Sequence, residues 1–129
     1  MSSNLPEVSA LIVGPHPDDA ELFCGGLLAN LVAAGHKVGI LDLTRGELAS
    51  RGTPAIRAQE AQAAATVLGL TVRAQAKLPD GFVSANDAEQ VREVVWLLRQ
   101  LRPELLVYPF QHDRHPDHTA ASHLLDRAV

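Results

Sequence analysis

The sequence predicts an α/β fold, a mainly parallel sheet with helices packed on its faces. Three observations carry this. Apolar, strand-like runs alternate with helical patterns along all 129 residues, the order expected of a parallel sheet with crossover helices. Helix stops and starts fall where such units need them, at Gly35, Thr53-Pro54, Gly69 and Pro103. No repeat, low-complexity tract or linker interrupts the alternation, so residues 1–129 read as a single domain.

Residues 8–13 form the first expected strand, an apolar run that leads into Gly14. Residues 19–34 read as a helix stopped by Gly35, and residues 37–43 (KVGILDL) as the second strand. A Gly- and Arg-rich loop covers 44–53. Thr53 then caps a helix that opens on Pro54, runs to residue 68 and ends at Gly69. Residues 70–76 make a weaker third strand, followed by a Pro79-Asp80-Gly81 turn. Residues 84–101 read as a helix with Val91, Val94, Val95, Leu98 and Leu101 on one face. Pro103 stops it, and residues 105–108 form the fourth strand. A last helical pattern starts near Pro116 and is still running at Val129. Its missing stop signal, and a sheet of so few strands, lead to the expectation of a truncated form or a fragment of a longer protein.

Composition narrows the function classes. The chain is 47% hydrophobic and 20% charged, with net charge −4 and no basic run. That argues against nucleic acid as a partner. A single cysteine, Cys24, excludes a disulfide framework and a thiolate zinc site. No apolar run approaches the ~20 residues that span a membrane, and the first residues lack the charged-then-apolar pattern of a signal peptide. A cytoplasmic location is the default expectation.

Two strings carry the chemistry: His16-Pro17-Asp18-Asp19 after the first strand and His115-Pro116-Asp117-His118 after the fourth. In open α/β sheets, ligands bind beyond the carboxyl ends of the strands where strand order reverses. A 3-2-1-4 order would put strands one and four side by side there, with both strings at one place. Taken alone, either string is also a plausible helix cap, with Asp18 or the residues around Pro116 serving the helix start. Together they offer imidazole and carboxylate donors suited to a divalent metal. A catalytic zinc takes about three protein ligands and keeps a position for water. His16, Asp19 and His118 can supply them. Asp18 is then an unligated carboxylate placed to take a proton. His115 can stabilise an oxyanion, with Asp117 orienting its ring.

These strings, with Glu21, Gly25-Gly26 and Leu43-Thr44-Arg45-Gly46-Glu47, resemble the LmbE/PIG-L family of zinc-dependent N-acetylglucosaminyl deacetylases. The resemblance implies a Rossmann-like three-layer sandwich. It implies His16, Asp19 and His118 as zinc ligands, Asp18 as general base and His115 as an aid to the oxyanion or leaving group. The Thr44-Arg45-Gly46-Glu47 loop and the helix containing Arg57 look most like the bacterial branch that deacetylates N-acetylglucosaminyl malate in bacillithiol synthesis. Family members usually continue well beyond the equivalent of Val129 and often form homo-oligomers.

Singly, Arg45, Arg51 and Arg57 are ordinary loop residues, but clustered guanidinium groups can grip a carboxylate, and Arg57 matches the family's pocket arginine best. Glu47 is expected to be structural, Cys24 a small buried residue, and Gly25-Gly26 a point of close helix–sheet approach. His36 fits a helix-end contact, His123 faces solvent, Trp96 packs in the core or a subunit contact, and His112 and Asp113 lie near the site. The expected activity is removal of acetyl from an N-acetylglucosaminyl conjugate, with Zn2+ or Fe2+ as cofactor. The rivals are a deacetylase of another small amide, such as a diacetylated disaccharide, and a non-catalytic remnant that binds metal or sugar.

Overall fold

The computed structural model describes residues 4–129. Its elements are β1 (Ala10–Gly14), α1 (Asp19–Ala33), β2 (Val38–Asp42), α2 (Pro54–Leu68), β3 (Val72–Gln75), α3 (Ala88–Leu101), β4 (Leu105–Val107) and α4 (Pro116–Ala128). The four strands form one sheet in the order β3-β2-β1-β4, all pairs parallel, with Ile12 opposite Ile40 on one side and Val107 on the other. The predicted order and fold class therefore hold. Among the described residues, no helix is long and apolar enough to cross a membrane.

The period of two along β1 and β2 divides the interior into two layers. Leu11, Val13, Leu41 and Leu43 point toward α3 and α4, where they meet Val94, Leu97, Leu101, Leu124 and Leu125. Ala10, Ile12, Val38 and Ile40 point the other way, with Ala20 and Leu28 of α1. Because both faces are covered, β1 and β2 are buried at every position, which explains their continuous apolar reading.

Differences from the sequence reading are local. α3 starts at Ala88, not at residue 84, because Asp87 caps it: its side chain accepts the N–H groups of Glu89 and Gln90 at 2.9 and 3.4 Å. Ser84 instead closes a turn by accepting the Asn86 N–H. Leu97 joins Val94 and Leu101 in the buried stripe. Gly25 and Gly26 do not mediate close approach, since a Cβ at either would meet nothing within 4 Å. Cys24 is half-buried against the α1 layer, and Trp96 packs against the other core cluster.

One buried ion-pair network joins three elements. The Arg73 side chain, 2% exposed, donates to Asp42 at 2.7 and 3.0 Å and to Glu21 at 2.9 and 3.0 Å. It thereby ties β3 to β2 and to α1. Burial pushes the Asp42 carboxyl up to about 6, against the opposing effect of the guanidinium.

Removing Arg73 would leave Asp42 buried without a counter-charge. Arg73→Leu is expected to lower stability by about 3–5 kcal/mol near neutral pH. A carboxyl raised above its unfolded value stabilises the fold below the unfolded pKa and loses that contribution as pH rises through the folded one. Without the guanidinium the folded value rises further, so the gap to wild type should be smallest near pH 4 and widen above pH 6. Urea unfolding across that range checks it.

Candidate metal centre and active site

The site forms where β1 and β4 end. Gly14 closes β1, and a Cβ there would sit 3.1 Å from the Asp19 Cβ and 3.2 Å from the Ala20 nitrogen. Glycine lets the His16–Asp19 turn fold back onto the strand end. Thr44 anchors that turn from the end of β2, its hydroxyl and its N–H both donating to the Pro15 carbonyl, at 2.9 and 3.0 Å.

Within the turn, Asp19 Oδ2 accepts the His16 N–H at 2.9 Å and lies 3.1 Å from His16 Nδ1. The same oxygen is 3.2 Å from His118 Nε2, in the first turn of α4. One donor atom each from His16, Asp19 and His118 thus lie within 4.8 Å of one another. The far nitrogens are also engaged by carboxylates. His16 Nε2 meets Asp117 Oδ2 at 2.9 Å and Asp80 Oδ1 at 3.2 Å, and His118 Nδ1 meets Asp113 Oδ2 at 3.3 Å. Metal-bound histidines are commonly backed in this way, so the donor set fits a divalent cation. Burial opposes protonation of His16, but its hydrogen bonds to Asp19 and Asp117 outweigh that and raise its pKa to about 9.

Asp18 precedes α1 at φ 108° and its side chain makes no cap hydrogen bond. A non-glycine residue in that region carries strain, and here the strained residue keeps a carboxylate that is 61% exposed and loosely paired with Arg57 at 3.8 Å. Partial burial, then the neighbouring Asp19 charge, raise its pKa. His115 does cap α4: its Nδ1 accepts the Asp117 N–H at 3.0 Å, which leaves the proton on Nε2. Its ring centroid is 4.7 Å from that of His16.

Asp117 differs from the sequence expectation. Its carboxylate does not orient His115; it faces His16 and accepts the N–H groups of Gly81 and Val83 at 2.8 and 3.2 Å. The reason is burial: at 1% exposure the side chain points inward to the loop after β3, and only its backbone reaches His115. Burial opposes ionisation, but His16 and the two amides hold its carboxyl below the usual range.

The arginines also separate. The Arg57 guanidinium donates to the carbonyls of Pro17 (2.7 Å) and Gly46 (3.2 Å) and lies 3.8 Å from Asp18 Oδ2. Gly46 has φ 64°, and a Cβ on it would strike this guanidinium. Arg51 is exposed and lines a shallow pocket with Asp18, Arg57 and Glu60. Arg45 is exposed and does not line that pocket. Glu47 is structural, as expected, its carboxylate accepting the Asp80 N–H at 3.0 Å. Asp80 in turn accepts the Leu48 N–H at 2.8 Å. Sequence reasoning missed Asp80, whose Pro-Asp-Gly context signalled only a turn. An apolar cavity lined by Phe23, Cys24, Val107 and Phe110 borders Asp19 and His118.

A parallel α/β sheet with a histidine–carboxylate cluster beyond the ends of the adjacent strands β1 and β4 defines the class of protein. Within that class, residues 11–129 match PIG-L, the GlcNAc-PI de-N-acetylase family, and the chain belongs to it. Diacetylchitobiose deacetylase of Thermococcus kodakarensis is 30% identical over 92% of this chain and 48% of its own length. A probable N-acetyl-alpha-D-glucosaminyl L-malate deacetylase 2 of Bacillus cereus is 29% identical over 95% of this chain and 61% of its own. The crystal structure of the conserved protein TT1542 from Thermus thermophilus superposes with a TM-score of 0.89 at 49% identity, covering 94% of this chain and 55% of that one. The chain thus spans roughly half the length of the relatives it matches.

Asp117→Ala would leave the Gly81 and Val83 N–H groups without their acceptor. Stability is expected to fall by about 3 kcal/mol, the range for losing hydrogen bonds to a buried charge, as measured by urea unfolding.

Proposed function

We propose that this chain carries the catalytic centre of a metal-dependent N-deacetylase acting on an N-acetylglucosaminyl conjugate. The observation that carries the reading is the convergence of His16, Asp19 and His118 beside an exposed, strained Asp18. The Asp18 side chain makes none of the capping hydrogen bonds that a helix-start position would explain. The two core clusters, one on each face of a single sheet, support reading residues 1–129 as one deacetylase domain.

His16, Asp19 and His118 would hold the metal, with Zn2+ the first candidate and Fe2+ suited to the same donors. When bound, it supplies charge that polarises the acetyl carbonyl and acidifies a water. The protein's own groups do the rest. Asp18 accepts a proton from the water as its oxygen attacks the carbonyl carbon. His115 Nε2–H donates to the oxyanion that develops, its other nitrogen being held by the Asp117 N–H. The proton then passes from Asp18 to the amide nitrogen as the C–N bond breaks, releasing acetate and a free amine. Asp117 and Asp80 hold the His16 ring, and Arg57 holds the backbone of Pro17 next to Asp18.

The malate-bearing glycoside is the preferred substrate, with an inositol glycoside and diacetylchitobiose as the alternatives. Its support is the similarity to the Bacillus cereus protein and a cation near Asp18. Arg51 is the guanidinium free to pair with a malate carboxylate, whereas Arg57 is engaged by two carbonyls. Assaying acetate release from the three glycosides, with metal analysis of the same sample, tests the reading. Release from none of them by metal-loaded protein would overturn it and favour a metal-binding or sugar-binding role.

Two variants test the roles. His118→Ala should lose most bound metal while His36→Ala keeps it; equal metal in both would refute the ligand set. Asp18→Asn should keep the metal and lose ~10²–10⁴-fold in rate, the usual span for a general base. A near-normal rate would remove Asp18 from that role.

A further inference from the structure

Asp18 immediately precedes α1 and Asp19 opens it, and the apolar packing of α1 lies mostly further along the helix. Ala20 and Leu28 are buried and Cys24, Leu31 and Val32 half-buried against the same cluster, while Leu22 and Phe23 near the site are 73% and 75% exposed. Space around Gly25 and Gly26 is open. Asp18 adds no cap hydrogen bond. A hydrophobic face that normally sets how a helix rotates against its sheet is therefore thin where precision matters most.

A polar strut reaches the turn from the sheet. Glu21 Oε1 and Oε2 accept from Arg73 Nη2 and Nη1 at 2.9 and 3.0 Å, a two-point contact that fixes orientation as well as distance. Arg73 is itself locked by Asp42 at 2.7 and 3.0 Å. Asp42 lies opposite Gly14, the residue that ends β1 before the His16–Asp19 turn. The strut thus runs from the strand ends that carry the site to the helix turn that completes it.

We propose that Glu21 is a positioning residue: through its two-point contact with Arg73 it sets the rotation and height of the first turn of α1, and with them the placement of Asp18 and Asp19 against His16 and His118. Only the activity arm of the following test rests on the deacetylase reading. Misplacing a reacting group by about 1 Å can lower a rate ~10²-fold, so a loosened turn should act on chemistry before it acts on folding.

Glu21→Ala leaves Arg73 paired with Asp42, so the buried charge keeps its partner and the chain is expected to fold. Hydrogen exchange is read at the amides of Leu22, which donates to the Asp18 carbonyl at 3.0 Å, and of Phe23, with the Leu28 amide as internal reference. Zn2+ affinity is read by competition with a chelator, and kcat and KM on the best of the three glycosides. Glu21→Ala should speed exchange at Leu22 and Phe23 relative to Leu28. It should also weaken zinc binding ~10-fold or more, and lower kcat with KM little changed. Glu21→Gln keeps an acceptor for Arg73 and should recover much of each loss. Exchange that rises equally along α1, or zinc affinity unchanged in Glu21→Ala, would overturn the proposal and leave Glu21 as an ordinary stabilising contact. If wild-type protein binds zinc but releases no acetate, the deacetylase reading falls, while the exchange and zinc arms still decide the role of Glu21.

Discussion

The parallel pairing of β1 with β4 is the constraint on which the rest depends. The two strands are remote in sequence, and their register places Ile12 beside Val107. Neighbouring strands lie about 4.8 Å apart, so chain segments leaving the same end of both meet within side-chain reach. The segment after β1 turns within a few residues into α1, while the segment after β4 runs through the loop 108–115 before α4. Asp19 from one and His118 from the other then meet at 3.2 Å. A different neighbour for β1 would leave two isolated helix starts and no pocket.

Crowding carboxylates around imidazoles gives this pocket its character. Asp19, Asp80, Asp113 and Asp117 all approach the rings of His16 and His118. Such an assembly of negative charge needs a positive centre. In the protein alone that is a proton, which explains the raised His16 pKa. A divalent cation would meet the same need more fully, and the carboxylates behind each ring would keep its donor nitrogen turned inward. The field that holds a cation also leaves Asp18, just outside the donor set, with its pKa raised by burial and by Asp19.

Beside Asp18, loops held by mutual hydrogen bonds flank the cluster. Arg57 bridges the Pro17 and Gly46 carbonyls, while Glu47 accepts the Asp80 N–H and Asp80 accepts the Leu48 N–H. Cross-bracing of this kind stabilises a strained Asp18 backbone without placing a side chain over it. One oxygen of Glu47 is buried with no partner among the described residues, an unfavourable contact retained within the same loop network.

The sequence by itself determined the elements and their order. Helix ends at Gly35 and Gly69, the Thr53-Pro54 start and the short apolar runs of β1 and β2 are local features that a linear reading can follow. The pairing of the two His/Asp strings was legible for a related reason, since each lies in the connection from a strand to the helix that follows it. Partner choice was not legible. Asp117 faces His16 and not His115 because α4 packs its inner side against the loop after β3. Arg57 is tied to Pro17 and Gly46, and Asp80 to His16, through contacts between segments that only the folded sheet brings together. The start of α3 fell at Ala88 because Asp87 accepts the Glu89 and Gln90 N–H groups, while Ser84 accepts that of Asn86 in the turn before it. Side-chain identity limits which bonds can form; three-dimensional distance decides which of them do.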